Sequence, residues 1–262
     1  MTDLVKIKKI GEYIIEVSLN RPEKLNALTK PMWKKLGSIF RDLASKKNKH
    51  IRCVILRGEG GKSFSPGNDI GEFEKSRSNS KLAKEYGVHL HGTLAAIQEC
   101  PIPTVALIEG ICVGGGFEIA ACCDLRICGN SSRFGVPIKR LGLTMAPREL
   151  QALLGLVGRS TTMEILLEGK IFNSEEAYQK GMVNRVVPDQ DVEKEAYATA
   201  ERICDGAPLV ARWHKAFADE LLYKNKISNK LNNLGYKCYD TEDFQIGYKS
   251  FLTKTKPKFK NK

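Results

Sequence analysis

Residues 104–128 read TVALIEGICVGGGFEIAACCDLRIC, and the way this stretch divides decides the class of the fold. Thr104–Ile108 is a short apolar run of strand length. Gly110 opens a turn, and Gly114-Gly115-Gly116 leads into an apolar helix that ends near Cys122-Cys123. Leu125–Cys128 is again short and strand-like. Strand, helix and strand in quick succession argue an α/β core.

Outward from there the same alternation holds. Upstream, Val5–Leu19 reads as two strands turning at Gly11-Glu12, and Thr29 caps a helix to about Ser45, with Pro31 tolerated in its first turn. Ile51–Leu56 is a strand closed by Arg57-Gly58-Glu59-Gly60-Gly61, and a helix from Lys81 to Glu99 ends before Pro101 and Pro103. Downstream, helices are expected over 148–157, 160–168 and 174–180, and a strand over Val183–Val187. From about Asp191 the pattern is helical, divided at Pro208. The expected organisation is an α/β core over 1–190 and a helical region over 191–262.

The composition bounds the function classes. The chain has 262 residues, 42% hydrophobic and 27% charged, which excludes a disordered or collagen-like chain and a disulfide-stapled mini-protein. No apolar run approaches the ~18 residues of a membrane span, and MTDLVKIKKI lacks the apolar segment of a secretory signal. KPKFKNK at the other end is not a peroxisomal tripeptide. The eight cysteines (53, 100, 112, 122, 123, 128, 204 and 238) form no CxxC pair and no Cys/His ligand spacing, so no metal is expected. Most sit in apolar runs, where a thiol behaves as a small hydrophobe. A reducing, cytoplasmic setting is expected.

Several familiar motifs fail on inspection. Gly61-Lys62-Ser63 resembles the end of a phosphate loop, but Leu56 occupies the required upstream glycine. Ile119 stands where a dinucleotide fingerprint needs its third glycine, and no GxSxG elbow exists. His50, His89, His91 and His214 are scattered, and His89 and His91 cannot share a helix face.

Chemistry concentrates in three pieces: Phe64-Ser65-Pro66-Gly67-Asn68-Asp69-Ile70, Val113-Gly114-Gly115-Gly116-Phe117-Glu118, and Arg133-Phe134-Gly135-Val136-Pro137 with Leu141-Gly142-Leu143. A glycine run entering a helix leaves N–H groups free at the positive dipole end, suited to an oxyanion. Glu118 lies three residues beyond Gly115 on the same face, where a carboxylate could move protons beside a thioester or ketone. The same carboxylate would also favour the first turn of the helix electrostatically, so spacing alone leaves both readings open.

Taken together, Leu19-Asn20-Arg21-Pro22, Leu25-Asn26-Ala27-Leu28, the FSPGNDI and GGGFEIA…CCDLRI segments, and Asn184-Arg185-Val186-Val187-Pro188 resemble the crotonase (enoyl-CoA hydratase/isomerase) superfamily from about Val5 to the C-terminus. The resemblance implies a spiral of ββα units followed by helices that build homotrimers, often paired into hexamers. It implies an acyl-CoA substrate whose carbonyl oxygen sits between the backbone N–H groups of Asn68 and Gly115, with Glu118 as acid/base. Lys24, Leu25 and Ala27 would cup the CoA adenine; Asp69, Ile70, Gly71, Gly114 and Pro137 would line the substrate site. Phe251 and Lys254 would reach CoA from a neighbouring subunit. CoA enters as part of the substrate, and no redox cofactor is implied.

One departure matters. The second glutamate of such hydratases should follow Pro137, and Ile138 stands there; Met145-Ala146-Pro147-Arg148-Glu149 replaces a glycine-rich stretch. Three readings follow: Glu118 does both acid and base work, Glu118 shuttles one proton in an isomerase or decarboxylase, or Glu149 substitutes. Hydration of a 2-enoyl-CoA is favoured by family prevalence. A different class, a CoA-ester or RNA-binding protein without fast turnover, draws on the net charge of +12 and on Lys30, Lys34, Arg41, Lys46, Lys47 and Lys49. The aromatic interleaving that stacks on single strands is missing there, so a solvated basic face is preferred over nucleic acid.

Overall fold

The computed structural model describes residues 3–224 and 228–262; the helical expectation at 225–227 lies outside the described residues. Two sheets are wound by one repeating unit. β1 (Val5–Ile10) and β2 (Ile14–Leu19) form an antiparallel hairpin, followed by helix α1 (Lys30–Leu43). Three ββα turns follow. The first is β3 (Cys53–Gly58), β4 (Ser63–Ser65), α2 (Phe73–Ser76) and α3 (Ser80–Gln98). The second is β5 (Thr104–Ile108), β6 (Ile111–Val113) and α4 (Gly115–Ala121), and the third is β7 (Leu125–Gly129), β8 (Arg133–Gly135) and α5 (Pro147–Glu168). β9 (Phe172–Asn173), α6 (Ser174–Gln179), β10 (Arg185–Val187), α7 (Val192–Cys204), α8 (Pro208–Lys224), α9 (Asn229–Lys237) and α10 (Glu242–Thr253) complete the order.

The first strand of each turn joins one sheet, β1-β2-β3-β5-β7-β10, and the second joins another, β4-β6-β8-β9. Val54 pairs with Thr104 and Val105 with Leu125 in the large sheet; Ser63 pairs with Ile111 and Cys112 with Phe134 in the small one. This is the spiral the resemblance implies. The strands of the small sheet are two or three residues long, too short to show a periodicity, and the sequence reading assigns none of them as a strand. They are held instead by lateral pairing with the neighbouring turn of the spiral.

Two other boundaries move. β3 begins at Cys53 rather than Ile51, because its ladder to β2 starts with Ile14 opposite Cys53. β10 begins at Arg185 rather than Val183, because the Asn184 side chain turns back to accept the Arg126 N–H at 2.9 Å. The two helices expected over 148–157 and 160–168 are both present, run together as α5 and separated at Gly158, whose backbone (φ 69°, ψ 176°) is non-helical with a positive φ suited to glycine.

The main core lies between α1, α3 and the spiral, around Trp33, Leu36, Phe40, Leu94, Phe117 and Phe134, all essentially solvent-free. A second cluster sits on the opposite face of the large sheet, where Val192, Ala196 and Ala200 of α7 cover Ile55, Val105 and Leu107. Among the described residues no helix is long and apolar enough to cross a membrane.

Candidate active site

The site forms where adjacent turns of the spiral press together. Gly67 has φ +100°, and a Cβ there would lie 2.9 Å from the Gly115 nitrogen. At Gly116 a Cβ would lie 2.3 Å from the Ser65 carbonyl oxygen. Only glycine lets these backbones approach so closely. The result is that the β4 loop and the start of α4 meet edge to edge. Leu28 N–H donates to the Gly67 carbonyl and Asp69 N–H to the Leu28 carbonyl, both at 2.8 Å, which fixes the loop from below. Gly114, the residue before α4, has φ 54° and ψ −127° and brings no side-chain cap, leaving the first N–H groups of the helix open. The Asn68 side chain is locked by the buried indole of Trp33, which donates to Asn68 Oδ1 at 2.8 Å.

The conspicuous Arg21–Leu28 signature is largely a bracket. Asn26 is fully buried with φ 64°; its side chain accepts the Arg21 N–H and donates to the Glu59 and Ser63 carbonyls. Arg21 then reaches Asp69 (Nη1 to Oδ2, 2.6 Å), and that hydrogen bond, with another from the Gly71 N–H, holds the Asp69 carboxyl below its ordinary range.

A cavity of about 580 Å³ opens above these groups. Of the residues expected there, Ala27, Asn68, Asp69, Ile70, Gly114, Gly115, Glu118 and Pro137 line it. Gly71 contributes through its bond to Asp69, whereas Lys24 and Leu25 are exposed on the adjoining turn and outside the lining. Phe251 and Lys254 lie at the end of α10, with Phe251 84% exposed, and are not part of this cavity.

Glu118 is 5% exposed, and its Oε2 has no hydrogen-bond partner. Desolvation, helped by the negative charge of Glu149, pushes its carboxyl up to about 8, with Arg77 opposing. Ile138 lines the cavity after Pro137 as an apolar side chain. Glu149, from the first turn of α5, lines the same cavity. It accepts the Ala146 N–H at 3.1 Å and pairs with His91 Nε2 at 2.8 Å. The sequence gives His91 no role, because its partner is 58 residues away and on another helix. Arg77 and Tyr86 also escape notice, since nothing in the spacing of 72–98 marks which side chains turn inward.

Two open N–H groups beside a carboxyl that retains its proton at neutral pH can stabilise an enolate and move a proton next to it. A family model described as "Enoyl-CoA hydratase/isomerase" matches residues 9–262. The chain belongs to the enoyl-CoA hydratase/isomerase family. It is 34% identical over 97% of its length to a probable mitochondrial enoyl-CoA hydratase 2 of Arabidopsis thaliana, covering 85% of that protein. It is also 29% identical, over 97% of its length and 89% of the relative, to a mitochondrial Delta(3,5)-Delta(2,4)-dienoyl-CoA isomerase of Dictyostelium discoideum. A crystal structure of an enoyl-CoA hydratase/carnithine racemase from Magnetospirillum magneticum superimposes with a TM-score of 0.95 at 41% identity, covering 100% of this chain and 97% of that one. The fold of the family is thus this chain's fold, helical C-terminal region included.

Proposed function

We propose that this protein adds water reversibly across the C2=C3 bond of a 2-enoyl-CoA. The observation that carries the reading is the placement of two carboxyl groups, Glu118 and Glu149, on one cavity beside the Asn68 and Gly115 N–H groups. The thioester oxygen accepts from those two N–H groups, an oxyanion hole that draws charge away from C3. Water attacks C3, and its proton passes to Glu149, whose carboxylate is steadied by Ala146 N–H and His91. The proton on Glu118 passes to C2. The cycle closes when Glu149 returns its proton to Glu118. Pairing one carboxyl that keeps its proton with one held by donors divides acid from base.

A second reading is favoured by Ile138. A double-bond shift needs a single proton carrier, and Glu118 alone supplies it. The two are separated by product mass after incubation with 2-enoyl- and 3-enoyl-CoAs. Hydration requires gain of one water, a ~10²–10⁴-fold loss of rate in Glu118→Gln, and a comparable loss in Glu149→Gln. A shifted double bond with no water gained, and no response to Glu149→Gln, overturns hydration in favour of isomerisation.

Assembly into a homotrimer or hexamer is part of the proposal, supported by the exposed Phe251, Leu252 and Tyr248 of α10 and Tyr236 of α9. A cytoplasmic location fits the unpaired thiols.

A further inference from the structure

The basic side of the cavity carries no proton in the reaction above, although Arg77 opposes the upward shift of the Glu118 carboxyl. Arg77 follows α2, and its guanidinium carbon lies 3.7 Å from the Tyr86 ring centroid and 5.0 Å from that of Phe73. Stacking on ring faces positions the group but leaves its in-plane N–H donors to find acceptors elsewhere. Nη2 finds none: it is buried without a hydrogen-bond partner. A buried donor left so is unfavourable unless a ligand completes it. The acids of the cavity are otherwise engaged, Asp69 with Arg21 and Glu149 with His91, and the buried Glu118 favours its neutral form. Among the described residues no carboxylate lies within 4 Å of Arg77 or of Arg140, the other guanidinium on the wall.

We propose that Arg77 is an anion subsite of the acyl pocket, and that the substrate is the CoA half-thioester of a short unsaturated dicarboxylic acid whose free carboxylate accepts from the Arg77 guanidinium. The inference rests on the enoyl-CoA reading above. A planar guanidinium meets a carboxylate in two parallel N–H···O bonds, a geometry that selects for this group. Phe73 and Tyr86 keep water from the pair, which strengthens it. A hydrocarbon chain in the same place would leave Nη2 unpaired and lie against a cation, so the pocket selects against it.

The test needs no turnover. Affinity for the unreactive glutaryl-CoA is compared by calorimetry with affinity for its neutral, isosteric amide and for free CoA. Wild type is expected to favour glutaryl-CoA ~10–150-fold over the amide, the worth of a hydrogen bond to a charged group. Arg77→Met should collapse that ratio towards one, and Arg77→Lys should restore part of it. No preference in wild type overturns the proposal. So does an equal loss for both thioesters and free CoA in Arg77→Met, which would place Arg77 on the CoA phosphates. If Arg77→Met fails to fold, the wild-type ratio and the Lys variant still decide. Binding of CoA esters without a carboxylate preference refutes this inference alone, whereas no binding of any CoA ester refutes the enoyl-CoA reading itself.

Discussion

Replacing Glu118 by Gln should make the protein more stable while disabling it, and the gain should depend on pH in a defined way. Raising the carboxyl from its ordinary 4.5 to about 8 means that ionising it in place is unfavourable by of order 5 kcal/mol, at ~1.36 kcal/mol per pH unit. Between those two values the folded chain keeps a proton that the unfolded chain has released. Stability therefore falls as pH rises from 4.5 and levels off above about 8. Gln cannot ionise, so it lacks this loss. Relative to wild type, the variant should gain nothing at pH 4.5, about 3 kcal/mol at pH 7 and about 5 kcal/mol above pH 8. At ~2–4 °C per kcal/mol for a chain near this size, the gain at pH 7 is roughly 6–12 °C in Tm. Thermal unfolding of both proteins from pH 5 to 9 reads it, and using the slope with pH cancels any constant difference between amide and acid. Parallel Tm curves across that range would refute the desolvated Glu118 on which the acid/base role rests.

Other outcomes follow from the same geometry. Gly67→Ala puts a methyl group 2.9 Å from the Gly115 nitrogen and a side chain on a φ of +100°. It should lower stability by ~1–3 kcal/mol and turnover by at least ~100-fold, as read by denaturant unfolding and initial rates; an unchanged rate would remove Gly115 from the oxyanion site. Arg126 is buried and donates to the carbonyls of Met182, Ala120 and Cys123. Arg126→Met should cost about 3–5 kcal/mol in urea unfolding by leaving these acceptors unpaired, and a cost below about 1 kcal/mol would contradict that bonding.

The sequence makes the backbone of the site legible and leaves the side chains facing it largely dark. The run through Gly114-Gly115-Gly116 to Glu118 announces an open helix start next to a carboxyl, and the Thr29 cap and long helices fall within two residues of their expected ends. The small sheet is invisible, because β4, β6 and β8 are stabilised by strands about twenty to fifty residues away rather than by their own pattern. The His91–Glu149 pair is hidden for the same reason: contact between α3 and α5 is a property of the packed spiral. Glu149 itself is legible as a helix-start residue, and it does cap Ala146, so its local role masks its place on the cavity. Arg77 carries no signal, since its neighbours Phe73 and Tyr86 become a slot only once α2 and α3 fold over the cavity.

The Asn26 bracket separates scaffold from chemistry. The residues of the Arg21–Leu28 stretch hold two loops in register beneath the cavity, and none of them chooses the chemistry performed there. Under the proposed function that choice falls to a few side chains on the cavity, Glu118, Ile138, Glu149 and Arg77, none of which takes part in the bracket. Product and substrate preference can therefore be altered at the cavity wall while the bracket stays as it is. The bracket thus marks the scaffold, and chemistry has to be read from the cavity wall.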